Sequence, residues 1–568
     1  MNIFALYATI FVGVLGFFGS SSIAYSAPKI PIELHNNSLV YCTSSADFSL
    51  NPQRAEAGSN MNVVTEQIYD KLVKFDPIHH KLQPALAERF EISADGLNVI
   101  FYLRKNVSFQ HTPWFTPTRK LNADDVVFSL RRMMGSRLEL AELTPTEQES
   151  IERYQINQAV ADGTHFPFFD STRLKNRIEN IVALDPYRVE ITLNAPYPTL
   201  LEHLASQYAV ILSKEYALQL NADENLLQID RLPVGTGPYQ VESYIQNDYI
   251  RLIPNSNYWG EKALIANMII DFSTSATGRM AKFLNGECDI SAFPEPSQLS
   301  ILPKLSSILH ENVGANLAFL AFNFQRTQMQ NLTLRQYIAR SINRERLAQL
   351  LFYRIADVAQ NVLPQALLLE TNPNGYIYQP TSLNQVEIRK ILAGSNRLNL
   401  WVVDEERAYN PHPLKMAELI RSDLAKVGIE LNVRQVSRAY LVQQLEKNQA
   451  DYDLILGGWL ANNDDLDSFL FPILSCEVQK SVTNLSNWCN PQFDALLKQA
   501  QLSDNWTEKK ERYHQVQQFL QNELPILPLV NARRILIANP NLQNVEISPF
   551  GQVNLSKIKR KIEREEAQ

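Results

Sequence analysis

Cysteine is scarce in this chain of 568 residues, which has only 4. That is too few for a disulfide-dense miniprotein. Glycine (19) and proline (29) follow no repeat, which excludes fibrous and low-complexity architectures. Basic charge is not in excess either. Lys plus Arg number 53 against 60 for Asp plus Glu, a formal net charge of −7. A protein that grips nucleic acid through its phosphates is ordinarily basic, so no nucleic-acid partner is expected. Beyond the N-terminus no apolar run is long enough to cross a bilayer. The segment LAFLAFNF from Leu317 is too short and contains Asn323.

The signatures of chemistry are missing as well. There is no GxSxG elbow, HExxH, Walker A loop or spaced GxGxxG. The 9 histidines are scattered, and His79 and His80 form the one adjacent pair, in the turn-like DPIHHKL. Adjacent side chains rarely converge on one ion, so neither a metal site nor a cofactor is expected. An enzyme is not expected.

What is present starts at Ile3. Residues Ile3 to Phe18 are almost wholly apolar, and small polar residues follow, up to Ala24-Tyr25-Ser26-Ala27-Pro28. This reads as a secretory signal peptide over 1–26, cut after Ser26, although no Lys or Arg precedes the run. Those 26 residues carry no charge, so the mature protein keeps its net −7. It is expected to be exported and soluble. In an oxidising compartment an even set of cysteines without CxxC or Cys/His spacing reads as disulfides. Cys476 and Cys489 flank a loop-like stretch, leaving Cys42 to pair with Cys288.

Strand and helix signals alternate, which favours an α/β class. Strands are expected at Leu39–Tyr41, Asn98–Leu103 and Arg188–Leu193. Helices are expected at about 414–427, stopped by Gly428, at 335–351, and at 508–522 before Pro525. Asn122 is placed to cap a helix. Gly235-Thr236-Gly237-Pro238-Tyr239 leads into a strand rather than a helix, so it reads as a structural turn and not a phosphate cradle.

A dozen stretches, in order, resemble the extracytoplasmic peptide-binding proteins of ATP-binding-cassette importers, the dipeptide/oligopeptide/nickel family. They include LVYCTSSADFSLNPQ at Leu39, LNADDVVFSLRR at Leu121, PVGTGPYQV at Pro233 and NSNYWG at Asn255. The second half adds LRQYIARSINRERL at Leu334, RAYNPHPLKMAELI at Arg407, YDLILGGWLANNDD at Tyr452 and LPILPL at Leu524. The resemblance implies a two-lobed α/β clamp with an extra subdomain in lobe one. Lobe one would take 27–314 and 529–568, with the subdomain at about 60–205; lobe two would be 315–528. Ligand would stabilise the closed lobes, which would dock on an inner-membrane permease driven by separate ATPase subunits. The binding protein itself is expected to be a monomer.

Burying a peptide between lobes strips water from its charged termini, which is costly unless each is paired. The resemblance assigns the carboxylate to Arg407, whose planar fork suits it. The ammonium partner lies three residues after Trp459, where the family's peptide binders carry Asp and this chain has Asn462. A carbonyl oxygen there accepts a hydrogen bond but brings no charge, so altered cargo is expected. Asp464, Asp465 and Asp467 are nearby carboxylates that could compensate; Asp465 joins Arg407, Trp459 and Asn462 as a candidate ligand residue. The candidate cargoes are peptides held by their backbone, cationic antimicrobial peptides, or alternatively haem or a metal chelate.

Overall fold

A computed structural model describes residues 37–44, 50–55, 62–76, 81–135, 166–273, 275–302, 308–368, 383, 385–392, 395–461, 465–503 and 505–561. The expected signal peptide, the His79-His80 pair and Asn462 lie outside them.

Two large sheets carry the architecture. The first has seven strands in the order 309–312, 534–538, 290–292, 38–43, 267–272, 249–254, 239–245. The second has six, in the order 356–358, 526–532, 316–322, 454–460, 397–403, 430–436. A four-stranded antiparallel sheet of 87–92, 98–103, 188–193 and 178–185 forms a subdomain beside the first. Each large sheet has its own core. One is built from residues between Leu39 and Ala292 and again from Leu536 to Ile558. The other runs from Ala315 to Ala532 and takes in Phe550.

Local signals explain most elements. Asn98–Leu103 and Arg188–Leu193 alternate buried and less buried positions, as a strand covered on one face requires. Asn122 caps the helix Ala123–Met133 in a reciprocal capping box with Asp125. Gly428, at φ +84°, follows the helix Pro413–Lys426 and adopts the left-handed conformation that ends it. The expected helix at 335–351 is in fact two. Leu332–Ser341 ends where Ile342 turns extended, and Asn343 caps Arg344–Phe352 through the backbone N–H of Arg346. The glycines at 235 and 237 are structural. A Cβ on Gly235 would fall 2.0 Å from the Ile68 carbonyl oxygen, and one on Gly237 2.6 Å from that of Gln67.

Both expected disulfides are present, Cys42–Cys288 and Cys476–Cys489. The first ties the strand Ser38–Thr43 to the segment just ahead of its neighbour Ile290–Ala292, and the second closes a loop in the other half, so neither links the two cores. The chain crosses between the sheets twice. It leaves through Val313–Ala315, and it returns with Arg533 alone between the strands Ile526–Ala532 and Arg534–Ala538. Pairing with Asn316–Phe322 and Ala356–Val358 holds 526–532 in the second sheet, so Arg533 is the residue between the two sheets.

The crossings are laced together. Asn316 donates from Nδ2 to the Ala532 carbonyl at 2.7 Å and accepts the Ala532 N–H at 3.0 Å. Asn531 donates to the Asn316 carbonyl at 2.6 Å. Arg533 pairs with Glu311 of the first sheet and Asp357 of the second. Such ties fix where the chain passes while leaving the lobes joined by only two strands.

Candidate ligand-binding site

The two halves meet along a seam. The helix Pro167–Thr172 packs on the helix Leu466–Leu474. Arg177 pairs with Glu477 at 3.2 Å, His412 lies 3.1 Å from Glu295, and His203 lies 4.0 Å from Asp465.

Arg407 sits in the loop between the strand Arg397–Val403 and the helix Pro413–Lys426. Its Nε and Nη2 both reach Glu405 Oε2, at 3.1 and 2.6 Å. One edge of its fork is thus held within the loop. Tyr409 presses this loop onto the strand Leu454–Leu460: a Cβ on Gly458 would stand 2.2 Å from the Tyr409 ring. Only glycine permits that approach. That packing holds the Arg407 loop on the Gly458 side of the strand; the next residue, half-buried Trp459, points to the other side, and its indole Nε1 has no hydrogen-bond partner among the described residues. Arg407 and Trp459 thus sit on elements that pack together. Asp465 has a different occupation. It caps the helix Leu466–Leu474, accepting the N–H of Asp467 at 3.1 Å and that of Ser468 at 3.0 Å.

Around Asp465 lies a cluster whose members come from both halves. Glu202 and His203 belong to the helix Leu200–Ala205 on the first core; Asp465 and Asp467 belong to the second. Tyr197 bonds His203 Nε2 at 2.6 Å. Burial, and then the charge of Asp465, pushes the Glu202 carboxyl up to about 7 and that of Asp467 up to about 8. Burial pushes His203 down, against the pull of Asp465. Tyr197 and Tyr513 are driven well above the ordinary phenol range, by burial and then by these carboxylates. Among the described residues no group of His, Cys, Asp and Glu is arranged to hold a metal. No described helix is long and apolar enough to cross a membrane.

The family model for bacterial extracellular solute-binding proteins, family 5 Middle, matches residues 81–481. The chain belongs to this family. It is 44% identical to the peptide transport periplasmic protein SapA of Haemophilus influenzae over 544 residues, 94% of this chain and 95% of that one. It is 31% identical to heme-binding protein A of the same organism, covering 91% of each. Among solved structures, the dipeptide-binding protein of Pseudoalteromonas sp. SM9913 in complex with Met-Leu superposes with a TM-score of 0.75. It is 32% identical over 92% of this chain and 100% of that one. The two-lobed α/β fold of these family-5 proteins is thus the fold of this chain.

Sequence reasoning missed the partners of Asp465. Glu202 and Asp467 lie far apart in the chain, and no local pattern announces their meeting. The cap was legible: Asp465 directly precedes the apolar LDSFLFPIL.

Proposed function

We infer that this chain is the exported, periplasmic cargo-capturing component of an ATP-binding-cassette importer, that its cargo is a peptide, and that capture works by closure of two lobes. Lobe one comprises the mature N-terminal part to about Asn312 and the chain from Arg534; lobe two comprises the part between. The observation that carries this reading is the seam: two independent cores, joined by two laced strands, face each other through buried polar groups. Cargo contacting both sides favours the closed arrangement because it binds that state better than the open one. The closed monomer then docks on an inner-membrane permease served by separate ATPase subunits. Capture needs no bond to be made or broken, and no catalytic role is assigned to any residue.

On this reading Arg407 and Trp459 would contact cargo from lobe two, with Asn462 completing that side. Asn462→Asp, by restoring a negative charge, is expected to strengthen ordinary dipeptide binding. A second reading, haem carriage, is favoured by the likeness to heme-binding protein A. Native mass spectrometry of protein released gently from the cell envelope separates the two. Bound masses in the peptide range support the first; a haem mass with a Soret band supports the second and contradicts the first.

A further inference from the structure

The loop that carries Arg407 lies where the carboxyl edges of two sets of parallel strands meet. On one side, Arg397–Val403 runs parallel to Glu430–Val436 and to Leu454–Leu460, and residues 404–412 leave its carboxyl end. On the other, Ser38–Thr43 runs parallel to Ile290–Ala292, and Glu295 follows shortly after the carboxyl end of the latter. His412, at the far end of the Arg407 loop, places Nε2 3.1 Å from Glu295 Oε1, so the two edges face each other directly. In open α/β sheets the crevice outside such edges is where ligands bind. Two buried polar atoms of these edges, Thr43 Oγ1 and Asn410 Oδ1, have no hydrogen-bond partner among the described residues.

Arg407 brings a cation to this crevice, and its counter-ion comes from two residues back in the same loop. Glu405 Oε2 accepts from Nε at 3.1 Å and from Nη2 at 2.6 Å. The backbone beneath is fixed: Arg407 and Asn410 exchange N–H···O bonds at 3.0 and 2.8 Å, closing a tight turn. The side chains of Arg407 and Glu405 remain 21% and 32% exposed, so the pair stands open at this edge and is not sealed in a core. An ion pair that open to water adds little to stability. Its effect is electrostatic. Glu405 cancels, at short range, the charge that would draw an anion to Arg407, and it occupies one of the two edges on which a guanidinium takes a carboxylate in bidentate fashion.

We propose that Glu405 is a specificity-determining residue: it is a resident stand-in for the cargo carboxylate, pairing with Arg407 in the empty protein and giving way when a free carboxylate enters the crevice. This rests on the cargo-capture reading above. A carboxylate that meets Arg407 must either displace Glu405 or stand beside its charge. Either route lowers the gain from the new pair, so Glu405 sets how strongly the protein favours cargo with a free carboxylate over cargo without one. It acts through Arg407 and selects by charge, without touching the rest of the cargo.

The test uses the full mature chain, freed of cargo by unfolding and refolding. Two probe pairs are titrated: the tripeptide Ala-Leu-Ala as free acid and as C-terminal amide, and haemin and its dimethyl ester. In whichever pair binds, the wild type is expected to favour the free acid. Glu405→Gln is expected to tighten the free acid about tenfold, the lower end of what a hydrogen bond to a charged group contributes, and to leave the amide or ester unchanged. Arg407→Gln, alone or combined with Glu405→Gln, is expected to remove the preference. Glu405→Ala repeats the test with no side-chain oxygen left to hold the guanidinium. A preference unchanged or narrowed in both Glu405 variants overturns the proposal. So does equal weakening of acid and amide, which assigns Glu405 only to the shape of the loop, and so does failure of both pairs to bind any of these proteins. If only haemin binds, and its preference over the ester widens in the Glu405 variants, the peptide reading fails and the stand-in remains.

Discussion

Asp465 Oδ2 stands 4.0 Å from His203 Nε2, with each residue rooted in a different core. The contact exists only while the lobes are together. It makes closure a step that moves charge out of water, and the consequences can be measured.

The first is a pH dependence. Glu202 and Asp467 are pushed up to about 7 and about 8 in the closed seam. In the open form, facing water, they titrate near ordinary carboxylates, at about 4. Closure therefore takes up protons, and its penalty is complete above about pH 8 and relieved as pH falls. Arg177 and Lys509 offset part of that penalty, while Asp465 adds to it. His203, pushed down by burial, resists closure once pH drops below its ordinary value of about 6.5. Affinity for the Ala-Leu-Ala probe is expected to rise by more than about tenfold between pH 8.5 and 6.5 and to rise less steeply below that, where His203 opposes closure. Calorimetry across that range checks it, and a Glu202→Gln, Asp467→Asn double variant is expected to show a flatter profile.

Asp465 separates a cap from a charge. Asp465→Ala removes the acceptor of the Asp467 and Ser468 amides and is expected to cost about 0.5–2 kcal/mol in urea unfolding. Asp465→Asn keeps a side-chain oxygen for the cap. It is expected to lose little stability while reducing the pH effect, since Asp465 is the charge that raises both neighbours.

Gly458 tests the packing that places the Arg407 loop. A methyl group there collides with the Tyr409 ring, so Gly458→Ala is expected to cost about 1–3 kcal/mol and to weaken cargo binding. Adding Tyr409→Ala to Gly458→Ala is expected to recover stability but not affinity. If Gly458→Ala alone is neutral in both assays, the loop is not held in this way.

Much of this architecture was legible in the sequence because it is written locally. The alternation in NVIFYL and RVEITL, the cap at Asn122 and the stop at Gly428 each act within a few residues. The break at Ile342 was hidden because apolar spacing continues across it, and only the cap at Asn343 marks the new helix. The site was harder to read. Arg407 and Trp459 were reached through motif likeness, which carries position but not the Glu405 that occupies Arg407. Arg533 left a trace, one of two consecutive charges inside the apolar ILPLVNARRILIA, but nothing there tells that it finds Glu311 and Asp357 across the crossing. Partnership is decided by chain crossings that no local pattern encodes.

The measurement that bears most directly on a clamp closing over carboxylate-bearing cargo is small-angle X-ray scattering of the mature protein, cargo-free and saturated with Ala-Leu-Ala. The account predicts a smaller radius of gyration on saturation and a profile matching the closed arrangement, with no such change for the C-terminal amide at equal concentration. Profiles that superimpose with and without the free acid, when calorimetry shows it bound, would contradict it.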